Sequence, residues 1–399
     1  MNRIPWPLKD GGSIGYFKCI EGYSKAGCEV TVAALNTQKH FFDVNKIPEE
    51  VKKLADWNAS YIDNRVKIAG AFLNLFTNKS YNISRFISTD FELLLTDLLR
   101  KKSFDVIVFE SLFMMPYFDI VSRNSSALTV LRQYNIEHEI WKTLAQNERN
   151  PFKKGYLNLL TNRLENFEKE NINTCDMLTV LTQNDKDDLI KMGATKPIHI
   201  APIGIELSKF KFDSVSEKKI SLFHLGSMEW LPNQEAIKWF IENVWNRISA
   251  KFPDLKFYIA GRGMPDSFKQ LKIKNLIVEG EVEDANKFME GKQIMIVPLF
   301  SGSGLRVKIL EGMAAGKTIV STKLGAQGIE YENCKHLMIA DTAGEFINAI
   351  EELVTNPGYA FELGRNAKTL IEEKYDNTKI IEQLLYVYEG QIREKDNNK

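Results

Sequence analysis

The sequence has little of what marks a secreted, membrane-spanning or nucleic-acid-binding protein. Its 399 residues hold only four cysteines, Cys19, Cys28, Cys175 and Cys334, with no Cys-x-x-Cys spacing. That argues against a disulfide framework and a zinc site, and makes a reducing cytoplasm the expected setting. An excess of one charge is missing too, since Lys+Arg and Asp+Glu each total 52. Duplex DNA needs clustered surplus cations, so no nucleic-acid partner is expected, although a local basic pocket is allowed. No apolar run approaches the roughly 18–20 residues of a spanning helix. The opening MNRIPWPLKDGG has no signal-peptide hydrophobic region.

What is present reads as an ordinary globular chain, 44% hydrophobic and 26% charged, and long enough for two domains. In the second half, short apolar runs at 220–226, 255–261, 275–282, 293–300, 317–322 and 336–341 alternate with helical spacing at 233–248 and 304–316. Near-continuous apolar strands between amphipathic helices predict a six-stranded parallel sheet covered on both faces. The first half repeats the pattern more loosely, with strands at 29–36, 104–111, 127–135, 177–184 and 197–205 and helices at 91–102 and 155–172. A linker is expected at 200–210. The expected domains are therefore 1–204 and 205–377, with a C-terminal helix, 378–399, crossing back to the first.

A doubly wound domain opens with a buried strand followed by its first βα loop. Here PWPLKDGGSIGY reads as that Gly-rich loop, leading into a helix at about 13–26, yet only Met1 and Ile4 are apolar before it. The first strand is missing from the pattern. A start upstream of Met1 is the favoured explanation, because a vacant central slot leaves two unpaired edges and a bare apolar layer.

The strongest chemical signal is PLFSGSGLRVKILEGMAAGKTIVST, 298–322. A strand ends at Phe300, a loop of small residues (Ser301, Gly302, Ser303, Gly304) follows, and a helix is expected from Leu305. Backbone N–H groups at such a helix start form an anion site. Arg306 and Lys308 in the first turn oppose the helix dipole, a placement explained by a diphosphate between them and the N–H groups. Glu311, on the face shared with Val307 and Lys308, can accept both hydroxyls of a ribose.

This segment resembles the nucleotide-sugar signature of glycosyltransferase family 4, retaining enzymes of the GT-B fold. It is similar to a bacterial subgroup with a Gly-Ser-Gly-Leu-Arg-x-Lys motif. HLGSMEWLPN (224–233), YIAGRG (258–263), VEGEVED (278–284) and PIGIE (202–206) resemble the family at corresponding places. The resemblance implies two Rossmann-like doubly wound α/β domains facing across a cleft, a nucleotide-diphosphate sugar as substrate, and no cofactor or metal. It implies a donor site of Gly11, Gly12, Gly226, Ser227, Arg262, Val282, Gly302, Ser303, Gly304, Arg306, Lys308 and Glu311. The family usually has two glutamates eight residues apart; here Ser303 holds the first position. Its usual Arg…Lys pair is replaced by Met228-Glu229-Trp230, leaving diphosphate neutralisation to Arg306 and Lys308 with help from Arg262.

In the first domain, ligands of an open α/β sheet lie beyond the carboxyl ends of the strands. Tyr134, Asn135, Glu137 and His138 follow one such strand and Glu110 ends another. Tyr134, Glu137 and His138 are the catalytic candidates; related sequences carry a His where Tyr134 stands. No nucleophile is required, since the donor brings its own leaving group and the protein's task is electrostatic. Asp185-Lys186-Asp187 is read as a helix first turn rather than a metal site. The expected acceptor is a glycan or lipid-linked glycan in cell-surface polysaccharide synthesis. Peripheral contact with the inner membrane is considered for 74–102 and 158–169, beside the reading of these as solvated amphipathic helices. A nucleotide-sugar epimerase of similar architecture and a non-catalytic nucleotide-sugar scaffold remain open as alternatives.

Overall fold

A computed structural model describes residues 1–8, 11–210, 220–302 and 304–397. It divides into two compact units, Met1–Ile203 with Thr378–Lys399, and Gly204–Asn377.

The second unit is one parallel sheet of β7 (Leu222–Leu225), β8 (Phe257–Ala260), β9 (Leu276–Gly280), β10 (Ile294–Val297), β11 (Thr318–Ser321) and β12 (Met338–Ile339). The strand order is β12-β11-β10-β7-β8-β9. Every residue of β10 and β11 is buried, as strands covered on both faces require. Trp245, Phe240, Phe257 and Phe346, all fully buried, fill the core on one face. The order reverses between β10 and β7, where the crevice beyond the carboxyl ends takes ligands in such sheets.

The first unit holds β1 (Thr31–Thr37) paired with β2 (Asp56–Ile62), and separately β3 (Val106–Glu110), β4 (Leu128–Arg132), β5 (Met177–Val180) and β6 (Ile198–Ile200). All these pairings are parallel. Among the described residues no strand joins the two sheets. β2 was not anticipated: DWNASYI is half-exposed along its length and has no apolar run. The C-terminal helix, Asn377–Asn397, buries Ile380, Ile381, Leu384 and Tyr388 against Leu128, Val130 and Met177, while Lys395 reaches Asp176 at 2.8 Å.

Candidate functional site

In the second unit the phosphate-loop residues gather at the carboxyl end of β7 and β10. Gly302 and Gly304 have φ of 103° and 82°, a region open to glycine, and these turns carry the chain away from helical geometry. The helix therefore begins at Val307, not Leu305. This corrects the position of Arg306, which lies at the cap (φ −89°, ψ 81°) rather than in the first turn; Lys308 stays in the turn. A Cβ on Gly302 would sit 2.5 Å from the indole of Trp230, so glycine lets the loop lie on that ring. The Arg306 guanidinium is 5.5 Å from the same ring and donates to Gly304 O. Ser303 lies outside the described residues.

Lys308 Nζ donates to Asn233 Oδ1 at 2.8 Å, and Asn233 Nδ2 donates to Ser227 O at 2.8 Å. A Cβ on Gly226 would lie 2.9 Å from Asn233 Nδ2, 3.0 Å from Lys308 Nζ and 3.3 Å from His224 Nε2. Three polar nitrogens thus converge on a position that only glycine leaves open. Burial, reinforced by Arg306, lowers the Lys308 pKa to about 7. Burial also lowers Arg306, to about 10. Among the described residues no carboxylate pairs with Lys308, whose acceptor is a neutral amide. His224 is wholly buried, with Nδ1 2.8 Å from Ile296 O and its pKa held well below the ordinary value by burial and by Lys308. A desolvated lysine at a small backbone gap, with the Arg306 charge acting on it, suits a polyanion, whose charge restores what desolvation removes.

The other donor candidates are arranged unevenly. Glu311 is half-buried on the helix, one turn beyond Lys308. Arg262 pairs with Glu229 at 2.7 Å, so an anion would compete with that carboxylate for it. Val282 follows the edge strand β9, two strands from β7, and is not part of the Lys308 cluster. Sequence reasoning placed His224, Trp230 and Asn233 inside the segment 224–233 that resembles the family, but gave none of them a role at the donor site.

In the first unit Gly11 and Gly12 are not a loop but the first two residues of the helix Gly11–Lys25. Gly15, one turn on, allows close packing: a Cβ there would lie 2.6 Å from Tyr134 Cε1. Tyr16 and Tyr134 meet edge to face at 4.8 Å. The structure thereby brings the glycine-rich helix start against Tyr134, whose hydroxyl burial pushes well above the ordinary pKa. His138 is 5% exposed, and its Nδ1 lies 2.8 Å from Glu168 Oε2. Glu168, fully buried, also accepts from the backbone N–H of Glu137 (3.1 Å) and His138 (3.2 Å). It thus caps the helix Glu137–Asn147, whose N-cap residue Ile136 has no capping side chain. Burial alone would lower the His138 pKa, but the Glu168 carboxylate raises it. Glu137 is pushed up to about 8, by burial first and by Glu168 second. Glu110 is 3% exposed and 3.9 Å from Arg132, which itself is 1% exposed and donates to Ala201 O. Asp185 belongs to a cap: its N–H donates to Thr182 Oγ1 at 3.1 Å.

Two parallel α/β units, one with a glycine-fixed cationic pocket at its topological switch, define a GT-B fold. Residues 219–356, all within the second unit, match the family Glycosyl transferases group 1. An uncharacterized 44.6 kDa protein of the cps region of Klebsiella pneumoniae is 23% identical over 394 residues, covering 95% of this chain and 96% of that protein. The phosphatidyl-myo-inositol mannosyltransferase of Mycolicibacterium smegmatis is 25% identical over 154 residues, 36% of this chain and 39% of that enzyme. Sucrose-phosphate synthase from Thermosynechococcus elongatus superposes with a TM-score of 0.67 at 12% identity, over 97% of this chain and 96% of that one. Anabaena HepE in complex with UDP gives a TM-score of 0.65 at 12% identity, over 96% of both chains. TarM gives 0.58 at 19% identity, over 75% of this chain but only 58% of its own.

Proposed function

We propose that the protein is a retaining glycosyltransferase of family 4 that takes its sugar from a nucleotide-diphosphate donor held at Gly302–Glu311. The observation that carries this reading is the convergence of Lys308, Asn233 and His224 on the open position at Gly226. In this reading the donor diphosphate lies over Gly226 and Ser227, and Lys308 and Arg306 neutralise the charge that grows on it as the glycosidic bond breaks. These two cations do the work of a divalent ion. Glu311 holds the ribose, and Trp230 walls the loop. On the acceptor side, Tyr134, Glu137 and His138 surround the reacting hydroxyl, with Glu168 fixing His138. The UDP bound by HepE and the cps-region relative favour a nucleotide-sugar donor and a cell-surface glycan or lipid-linked acceptor.

A lipid-linked acceptor fits a second feature. Val66, Ile68, Phe72, Leu73 and Phe76 are each at least 60% exposed on and around the short helix Ile68–Asn74, beside Lys67 and Lys79. An apolar cluster rimmed by cations suits the headgroup layer of an anionic bilayer. Among the described residues no helix is long and apolar enough to cross a membrane.

Equilibrium binding to a panel of UDP-, GDP- and ADP-sugars, with and without EDTA, tests the donor site. Binding of at least one donor by the protein, unaffected by EDTA and lost in Gly226→Val, supports it. Equal binding by Gly226→Val, or loss with EDTA, refutes the site or its metal independence respectively.

A further inference from the structure

Charge balances along the whole chain, but not between Asp63 and Ser88, where Arg65, Lys67, Lys79 and Arg85 stand against the single carboxylate of Asp63. Arg65 grips that carboxylate through one edge of its guanidinium, Nε at 2.8 Å and Nη2 at 2.9 Å, and Lys67 lies 3.6 Å away. Among the described residues Arg85 meets no carboxylate. Its Nη1 donates to Asn64 O at 3.0 Å, its guanidinium lies 5.6 Å from the centre of the Tyr81 ring, and its Nε is buried without an acceptor. Arg163, on the helix Pro151–Asn171, also reaches neutral oxygens: Nη1 donates to Asn74 O and Oδ1 at 2.8 Å, and Nη2 to Leu75 O at 3.2 Å. Tyr156, about two turns earlier on that helix, is close enough to both arginines for their charges to act on its hydroxyl. That hydroxyl is itself buried without a partner.

The same groups hold the short helix Ile68–Asn74 in place. At its start Tyr81 Oη accepts from the Lys67 N–H and donates to Lys67 O, both at 3.1 Å, and a Cβ on Gly70 would lie 3.0 Å from that Oη. Arg163 takes the carbonyls at its end. With the backbone tied at both ends, Ile68, Phe72, Leu73 and the following Phe76 remain 60–89% exposed. An apolar surface held open in this way marks a contact site. Burial lowers the Arg85 pKa, and among the described residues the Tyr81 and Tyr156 hydroxyls alone oppose it. A desolvated cation and a desolvated hydroxyl, each short of a partner, are completed by an anion with several acceptor oxygens. Phosphate meets a guanidinium edge through two parallel N–H bonds and leaves a third oxygen for the tyrosine. A carboxylate fills the edge but has no third oxygen.

We propose that Arg85 and Tyr156, assisted by Arg163, bind the phosphate of a membrane amphiphile whose apolar chains cover Ile68, Phe72, Leu73 and Phe76. The inference rests on the bilayer contact proposed for this helix and adds a discrete headgroup site to it. Exposed lysines sense only the charge of a surface. The Arg85 edge and the Tyr156 hydroxyl together select the phosphate.

The test uses the full chain and vesicles of digalactosyldiacylglycerol, a phosphate-free lipid, doped to equal surface charge with phosphatidic acid or with oleate. Sedimentation should show roughly tenfold tighter binding to the phosphatidic acid vesicles, the worth of a charge-assisted hydrogen bond. Tyr156→Phe, which deletes one hydroxyl, should erase that preference while leaving oleate binding and Tm unchanged. Arg85→Gln should bring phosphatidic acid binding down to the oleate level, and Arg85→Lys, which keeps the charge but not the edge, should do no better. Equal binding of both vesicles by the unsubstituted protein leaves the bilayer contact standing and overturns the headgroup site, as does a preference that survives these substitutions. Binding to neither vesicle removes the bilayer contact and this site with it. Inorganic phosphate binding the vesicle-free protein as tightly as the vesicles do assigns the site to a free anion and overturns its lipid source.

Discussion

Lys308 makes the donor site sensitive to pH in a direction the structure fixes. Its folded pKa is about 7 against an ordinary 10.5, lowered by burial and by Arg306. A diphosphate above Gly226 favours the ammonium and returns the pKa towards its ordinary value, so donor binding takes up a proton above pH 7. A group of pKa 7 is about 90% protonated at pH 6 and about 3% at pH 8.5, so the donor Kd should weaken about thirtyfold over that span. Both phosphates of a nucleotide sugar keep their charge there, and Arg306, with its pKa near 10, stays cationic. Unfolding does not mimic the effect. Between pH 7 and 10.5 the unfolded chain binds more protons at Lys308 than the folded one, so this residue makes the free protein more stable as pH rises. The assay is titration calorimetry of the tightest donor in two buffers of different ionisation enthalpy. Lys308→Arg should bind with a flat profile, and Lys308→Met should bind weakly with a flat profile. A flat profile in the unsubstituted protein, or an unchanged slope in Lys308→Met, refutes the reasoning.

Other outcomes follow from the same geometry. Glu311→Ala should raise the donor KM about tenfold to a hundredfold, the worth of charge-assisted bonds to a ribose; normal kinetics would remove Glu311 from the site. Glu168→Gln can keep only one of the two cap bonds, that from the Glu137 N–H, and removes the charge that raises His138. The stability lost in that variant should be fully present below the ordinary His pKa of about 6.5 and fade as pH rises through the raised folded value. Melts at pH 5.5 and 8.5 decide this, and an equal loss at both would mean His138 is not charged in the fold. Phe72→Asp with Phe76→Asp should cut sedimentation with vesicles of anionic lipid at least tenfold without lowering Tm, and equal sedimentation would dismiss the bilayer contact.

The second unit was legible because its strands are buried on both faces and therefore read as unbroken apolar runs such as QIMIVPLF. β2 was hidden because a half-exposed strand mixes Asp, Asn and Ser into its pattern. At the site, glycines and cations could be picked out from their spacing, but their partners could not. Asn233 is 75 positions from Lys308, and Glu168 is 30 from His138. Only folding brings such pairs together. Helix onset was misplaced by two residues because the positive φ of Gly302 and Gly304 delays it.

The central claim is transfer of a sugar from a nucleotide donor, and acceptor-dependent release of nucleoside diphosphate measures it most directly. Purified protein is incubated with each UDP-, GDP- and ADP-sugar, with and without lipid-linked glycans, and free diphosphate and donor isomers are quantified. The account predicts diphosphate release with one class of donor, only when acceptor is present, and its loss in Lys308→Met. Donor isomerised without release, or donor bound without turnover under every acceptor, would contradict it.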